Sequence, residues 1–240
     1  RRSRMPRGGG AATLSAGRMQ LRNGDRSLWP SDLAAFVACG HLTTLSLGVA
    51  VRERERPYTR EALAQLIAEK GDLHEARYLA ALREQGREVV EIELPQQSGA
   101  FAAAHDATVA AMQDGAEIVY QATFSRDGWR GRADFLVRID DPSDLGTWSY
   151  EPHDTKLARS AKPSAVLQLA WYAEEIAAVQ GRRPERVHVV LGTRETETYR
   201  PADVDAYLRT AQGRLRRPVK ERAGTNPWQG EEGPGCGVIL

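Results

Sequence analysis

The sequence predicts an α/β domain whose mixed central sheet is flanked by helices, in the order αβββαβ. Three observations carry this. Glu117 to Ser125 and Trp129 to Ile139 are β-prone runs joined by Arg126-Asp127-Gly128, a hairpin signal. A further run of strand character spans about Trp148 to Leu157. Lys162 to Val179 then carries Val166, Leu169, Tyr172 and Ile176 at helical spacing and leads into a short buried-type strand, Arg186 to Leu191, as a crossover helix does.

Before this core, Pro30-Ser31-Asp32 is a helix start, followed by Leu33, Phe36, Val37, Leu42 and Leu45. Thr59 is placed to cap a helix through Leu63 and Ile67, and after Gly71 a second helical run carries His74, Tyr78, Leu79 and Leu82 before Gly86 closes it. Arg87 to Leu94 has strand character, Phe101 to Met112 is Ala-rich and helical, and a last helix is expected from Asp203 to about Leu215. Residues 1–26, rich in Arg, Gly and Ser, read as a disordered basic leader. Residues 27–217 form the domain, and 218–240 form an irregular tail expected to be disordered or truncated.

The chain has 240 residues, 41% hydrophobic and 27% charged, which suits one domain with a full core. With a formal net charge of +1, any surface for a polyanion must be a local basic patch. The two cysteines, Cys39 and Cys236, lie far apart, which argues against a disulfide framework and for a reducing, cytoplasmic setting. There is no apolar run of the roughly 18 residues a membrane span needs, and the basic start is followed by Gly-rich sequence instead of an apolar signal core.

Strand alternation in the second core strand places Trp129, Ala133, Phe135, Val137 and Ile139 on an apolar face and Arg130, Arg132, Asp134 and Arg138 on the other. In the third strand the same rule sets Asp154 beside Lys156, with Thr155 pointing away between them. Neighbouring strands of a meander bring Asp134 and Asp154 together. Two carboxylates so close repel unless a divalent cation lies between them, and Mg²⁺ or Mn²⁺ prefers such oxygen ligands. An ion there lowers the pKa of a bound water, and Lys156 orients that water or neutralises charge on a phosphate, which is phosphodiester hydrolysis chemistry. Arg130, Arg132, Arg159 and Lys162 are candidates for phosphate contact, with a plain solvated face as the equal alternative. By parity His153 reads as structural and Glu151 as a reserve candidate.

Gly131-Arg132-Ala133-Asp134 and Asp154-Thr155-Lys156 resemble the paired motifs of PD-(D/E)XK nucleases. Gln168-Leu169-Ala170-Trp171-Tyr172 is similar to the QxxxY element of RecB-like exonucleases and their CRISPR-associated relatives, and Gly71-Asp72-Leu73-His74-Glu75 resembles their GxxHE element. The resemblance spans roughly Pro30 to Leu215 and implies a restriction-endonuclease-like core. It implies His74, Asp134, Asp154 and the Thr155 carbonyl as metal ligands, and Asp134, Asp154 and Lys156 as the catalytic set. Gln168 and Tyr172 are implied to hold the DNA backbone or to buttress Lys156, and Arg132 is added to them as a substrate contact from its place in the basic cluster. The activity implied is a Mg²⁺- or Mn²⁺-dependent deoxyribonuclease of DNA repair or recombination type, acting on single-stranded ends, with a helicase domain or subunit as partner.

Cys39 sits where many relatives place the first of four cysteines of an iron-sulfur cluster. Cys236 alone follows the last helix, and two thiolates do not supply four ligands, so Cys39 is read as a remnant and a cluster is not expected. A tail truncated or read in an altered frame is the favoured explanation, and a lineage lacking the cluster is the other. Two further functional readings stay open on the sequence: an inactive DNA-binding or scaffold relic, and an RNA-directed nuclease of the same fold.

Overall fold

A computed structural model describes residues 20–22, 25–51, 53–55, 61–95, 97 and 99–221. Its helices are α1 (Pro30–Ala38), α2 (Gly40–Ala50), α3 (Glu61–Glu84), α4 (Ala100–Gln113), α5 (Pro163–Gln180) and α6 (Asp205–Glu221). The strands are β1 (Gln20–Arg22), β2 (Asp25–Ser27), β3 (Val89–Glu91), β4 (Ile118–Arg126), β5 (Trp129–Ile139), β6 (Ser149–Lys156), β7 (Val187–Leu191) and β8 (Thr196–Tyr199). The last six form one mixed sheet in sequential order. β3 is parallel to β4, β4-β5-β6 is an antiparallel meander, α5 crosses over to set β7 parallel to β6, and β8 returns antiparallel.

The expected α/β class and the αβββαβ order are present, with several departures. Part of the expected leader is paired: β1 and β2 form an antiparallel hairpin, while residues 1–19 lie outside the described residues. The two helices expected on either side of Gly71 are one 24-residue helix, because a glycine with open space around it costs about 1 kcal/mol and does not stop a helix. Thr59, the expected cap, lies outside the described residues. β8 was not expected from the sequence, since Thr196–Tyr199 alternates on an edge with no apolar run. α6 continues to Glu221, past the expected end of the domain, and the tail from 222 on lies outside the described residues.

α5 is buried on most sides, because the sheet covers one flank and α1 and α6 cover others. Pro163 opens it, with its fixed φ suited to a first helical turn, and Gly181 at φ 70° ends it. The main core joins this helix to α1, α4, α6 and one face of the sheet, through Leu33, Met112, Phe124, Trp171, Ile176 and Leu215. On the other face α3 lays Leu79 and Leu82 against Ile118 and Phe135. Burying each such side chain contributes about 1.5–3 kcal/mol, so both faces of the sheet are fixed.

Alternation along β5 is not continuous. Ala133 and Leu136, three residues apart, both enter the main core, while Phe135 between them enters the α3 cluster. The β4–β5 ladder skips Gln121, which has φ 57°, opposite Asp134. The strands thus change the facing of their side chains at this point. The expected single apolar face from Trp129 to Ile139 is therefore corrected: the two halves of β5 expose opposite parities.

A candidate active site at a fork in the sheet

β5 and β6 pair from Ile139↔Ser149 to Phe135↔His153 and then part. β6 goes on pairing with β7 as far as Lys156↔Leu191, and β5 with β4 as far as Arg126↔Trp129. Asp134 and Asp154 are the first residues beyond the last rung, so the fork opens between them.

Backbone groups freed on β5 by the fork need partners. Leu28 supplies some: its N–H donates to Gly128 O at 2.9 Å and its carbonyl accepts from Arg130 N at 2.8 Å. Tyr172 of α5 supplies the rest, its hydroxyl donating to Arg132 O at 2.7 Å and accepting from Arg132 N at 3.1 Å. Gly131 makes this approach possible, since a Cβ there would lie 2.4 Å from Trp171 Cζ3 and 2.8 Å from Tyr172 Cε1.

Asp134 Oδ2 accepts from both the backbone N–H of Thr155, at 2.7 Å, and its hydroxyl, at 2.8 Å. Thr155 therefore turns toward Asp134, and the carboxylate bridges the fork. Asp154 is buried, with Lys156 Nζ 2.6 Å from Oδ2 and that oxygen accepting no well-aligned hydrogen bond. Burial first, then the nearby Asp134 carboxylate, pushes Asp154 up to about 7 against the pull of Lys156. Burial by itself would lower Lys156, but Asp154, Asp134 and Glu75 outweigh it and hold the ammonium above its usual value.

Glu75 is the residue that sequence reasoning passed over. It reaches the site from α3, where Tyr120 donates to its Oε1 at 2.8 Å and Gln121 donates to the same oxygen. Burial, then the Asp134 charge, pushes Glu75 up to about 7. A signal was available: Glu75, Leu79 and Leu82 recur at helical spacing, and the two leucines are buried against the sheet. His74, one residue earlier, has Nε2 3.2 Å from Val190 O on β7, the register partner of Thr155.

The remaining expected residues take mixed places. Arg132 donates to Ile92 O at 2.7 Å, just past the end of β3, and to Gln121 O at 3.3 Å within β4. Tyr172 is buried as a brace of β5, and Gln168 is half-buried one helical turn before it. His153 packs on His188 with ring centroids 4.2 Å apart, and its Nδ1 lies 3.4 Å from Tyr78 Oη. Burial, then His188, lowers it to about 3, which keeps it neutral. Glu151 holds His188 Nε2 at 2.8 Å, outside the fork. Cys39 lies at the junction of α1 and α2, as the C-cap of the first and the N-cap of the second; Cys236 lies outside the described residues.

The site thus gathers three carboxylates and one ammonium, with two of the carboxyls held near neutrality. Such a cluster is short of positive charge, since one ammonium, 2.6 Å from Asp154 Oδ2, faces three carboxyls. The donor set suits a hard divalent ion bound through Asp134 and Asp154, its shell completed by water and substrate oxygens. Among the described residues no group of three or more His, Cys, Asp or Glu side chains is arranged to hold a metal ion. No helix of the described residues is long and apolar enough to cross a membrane. In comparisons with known proteins, no family model and no curated protein sequence matches this chain.

Proposed function

We propose that the chain is a Mg²⁺- or Mn²⁺-dependent nuclease of the PD-(D/E)XK type, with a restriction-endonuclease-like core, that hydrolyses phosphodiester bonds of single-stranded DNA. The observation that carries the reading is the fork, where Asp134 and Asp154 lie just past the last rung, close enough for the charge of one to raise the other, and Lys156 lies 2.6 Å from Asp154. A bound divalent ion would supply an acidified water and charge neutralisation at the phosphate. Asp134 and Asp154 would hold that ion, and Thr155 fixes the rotamer of Asp134 through two hydrogen bonds. Lys156, partly exposed at 39% and held protonated beside Asp154, is the ammonium that would meet a phosphate oxygen there. Glu75 adds a third carboxyl on the α3 side, placed to accept a proton or to join the ion's outer shell. The likeness of Gly131 to Asp134, Asp154 to Lys156 and Gln168 to Tyr172 to RecB-like exonuclease motifs supports the choice of DNA ends as substrate.

The test is cleavage of end-labelled single-stranded DNA by the full chain with Mn²⁺, with an RNA strand of the same sequence and a closed single-stranded circle beside it. Metal-dependent cleavage that Asp154→Ala or Lys156→Ala removes is the expected result. Cleavage unchanged by either substitution, or none with any metal, overturns the assignment. RNA cleaved in preference moves the substrate class, and cleavage of the circle makes the enzyme an endonuclease.

A further inference from the structure

The arginines around β5 differ in what they hold. Arg126 is engaged by Glu175 in two hydrogen bonds of 3.0 and 2.9 Å. Arg132 is engaged by two carbonyls, and Arg138 donates to Gly115 O. Arg130 differs: among the described residues its guanidinium contacts no carboxylate or carbonyl, and it lies over the Phe101 ring with Cζ 5.0 Å from the centroid. Trp29 meets that ring edge-on, with centroids 5.3 Å apart, and so fixes the platform.

Arg130 and Arg132 share one side of β5 by alternation, and Arg132 reaches across β4 on the side where Glu75 also meets β4. Arg130 is four residues from Asp134, about 13 Å along an extended strand. The same end of β5 carries a second guanidinium without a carboxylate among the described residues, Arg216, with Cζ 5.8 Å from the Trp129 ring centroid. An arginine held by an aromatic face keeps its donors free, and its ordering entropy is already spent, which suits it to a phosphate.

We propose that Arg130, held on Phe101, is a second anchoring point for the backbone of a single-stranded nucleic acid whose reacting phosphate lies at the fork. The proposal rests on the nuclease reading and adds to it the direction of the strand: from the fork along β5 toward the β4–β5 turn. Arg130 acts on affinity and reach, and it is too far from the fork to touch the reacting phosphate.

The test measures binding of a fluorescent oligothymidylate to the full chain in EDTA across a salt series. In parallel, Mn²⁺-dependent hydrolysis of a thymidine nitrophenyl phosphodiester is followed, a substrate too short to reach Arg130. Arg130→Gln is expected to weaken strand binding roughly 3- to 10-fold and to reduce the salt slope by about 0.7, the value of one lost phosphate contact on a single strand. Arg130→Lys is expected to restore the slope, and Phe101→Leu to weaken binding by releasing the guanidinium while retaining an apolar side chain. Both Arg130→Gln and Phe101→Leu are expected to leave hydrolysis of the small diester unchanged. Wild-type affinity and slope in folded Arg130→Gln, or no strand binding by the wild type, refute the anchoring point. If the wild type hydrolyses neither substrate while the Arg130 effect on binding holds, the nuclease reading fails and the binding surface stands.

Discussion

Replacing Asp154 by Asn is expected to abolish cleavage and, without metal, to make the protein more stable. Asp154 is 5% exposed, and its carboxyl titrates at about 7 instead of 3.8, chiefly through burial and then through Asp134. A carboxyl raised on folding favours the folded state at low pH, and that advantage is lost as pH climbs from the unfolded value through about 7. Between those two values the ionisation cost amounts to about 4 kcal/mol as an upper figure. Asn removes this cost but also removes the attraction to Lys156, whose 39% exposure lets water take over part of the lost contact. A net gain of about 1–3 kcal/mol near pH 8 is expected, or roughly 3–10 °C in the unfolding midpoint for a domain of this size. The assay is thermal unfolding in EDTA at about pH 8 and at about pH 5, where wild-type Asp154 is already protonated and the gain should largely vanish. A variant less stable than wild type at both values, or a gain independent of pH, would refute the reasoning that these carboxylates are held together against their own repulsion.

Other consequences follow from the same geometry. Glu75→Gln should reduce Mn²⁺-dependent cleavage at least about tenfold, while His74→Ala should change it only a few-fold, because Glu75 feels the charge of Asp134 whereas His74 Nε2 is engaged by Val190 O; equal losses in initial rate would contradict that placement. Tyr172→Phe strips the partner from both Arg132 N and Arg132 O, and urea unfolding should show a loss of about 1–3 kcal/mol. Gly131→Ala forces a Cβ into Trp171 and Tyr172, so a loss of about 1–3 kcal/mol is expected together with weaker cleavage as the fork shifts; full stability and activity would show that α5 moves aside freely. The stabilisation conferred by saturating Mn²⁺ should be larger near pH 8 than near pH 6, because below about 7 protons compete with the ion for Asp154 and Glu75.

The order of elements was legible because each has a local cause: the Asp127-Gly128 turn, the helical spacing through α5, and the Pro163 and Gly181 that bound it. That Asp134 and Asp154 lie near one another was legible for a related reason, since meander strands must be neighbours and residues at equal distance from a hairpin come together. What local pattern misled was the facing of β5. Strict alternation holds only while a strand keeps its pleat, and the left-handed backbone at Gln121 breaks it opposite Asp134.

By itself the sequence determined which chemical groups are available and in which elements they lie: two aspartates and a lysine on consecutive strands, and a helix with Gln168 and Tyr172 to cover them. Only the tertiary structure decided that β5 and β6 part at those aspartates, that Tyr172 closes the backbone left open, and that Glu75 enters from α3 while His74 turns to Val190. The physical reason is range. Propensity and periodicity act over a turn or a strand, whereas the charge on a buried carboxyl depends on groups from about 20 to 80 positions away along the chain that only packing brings close.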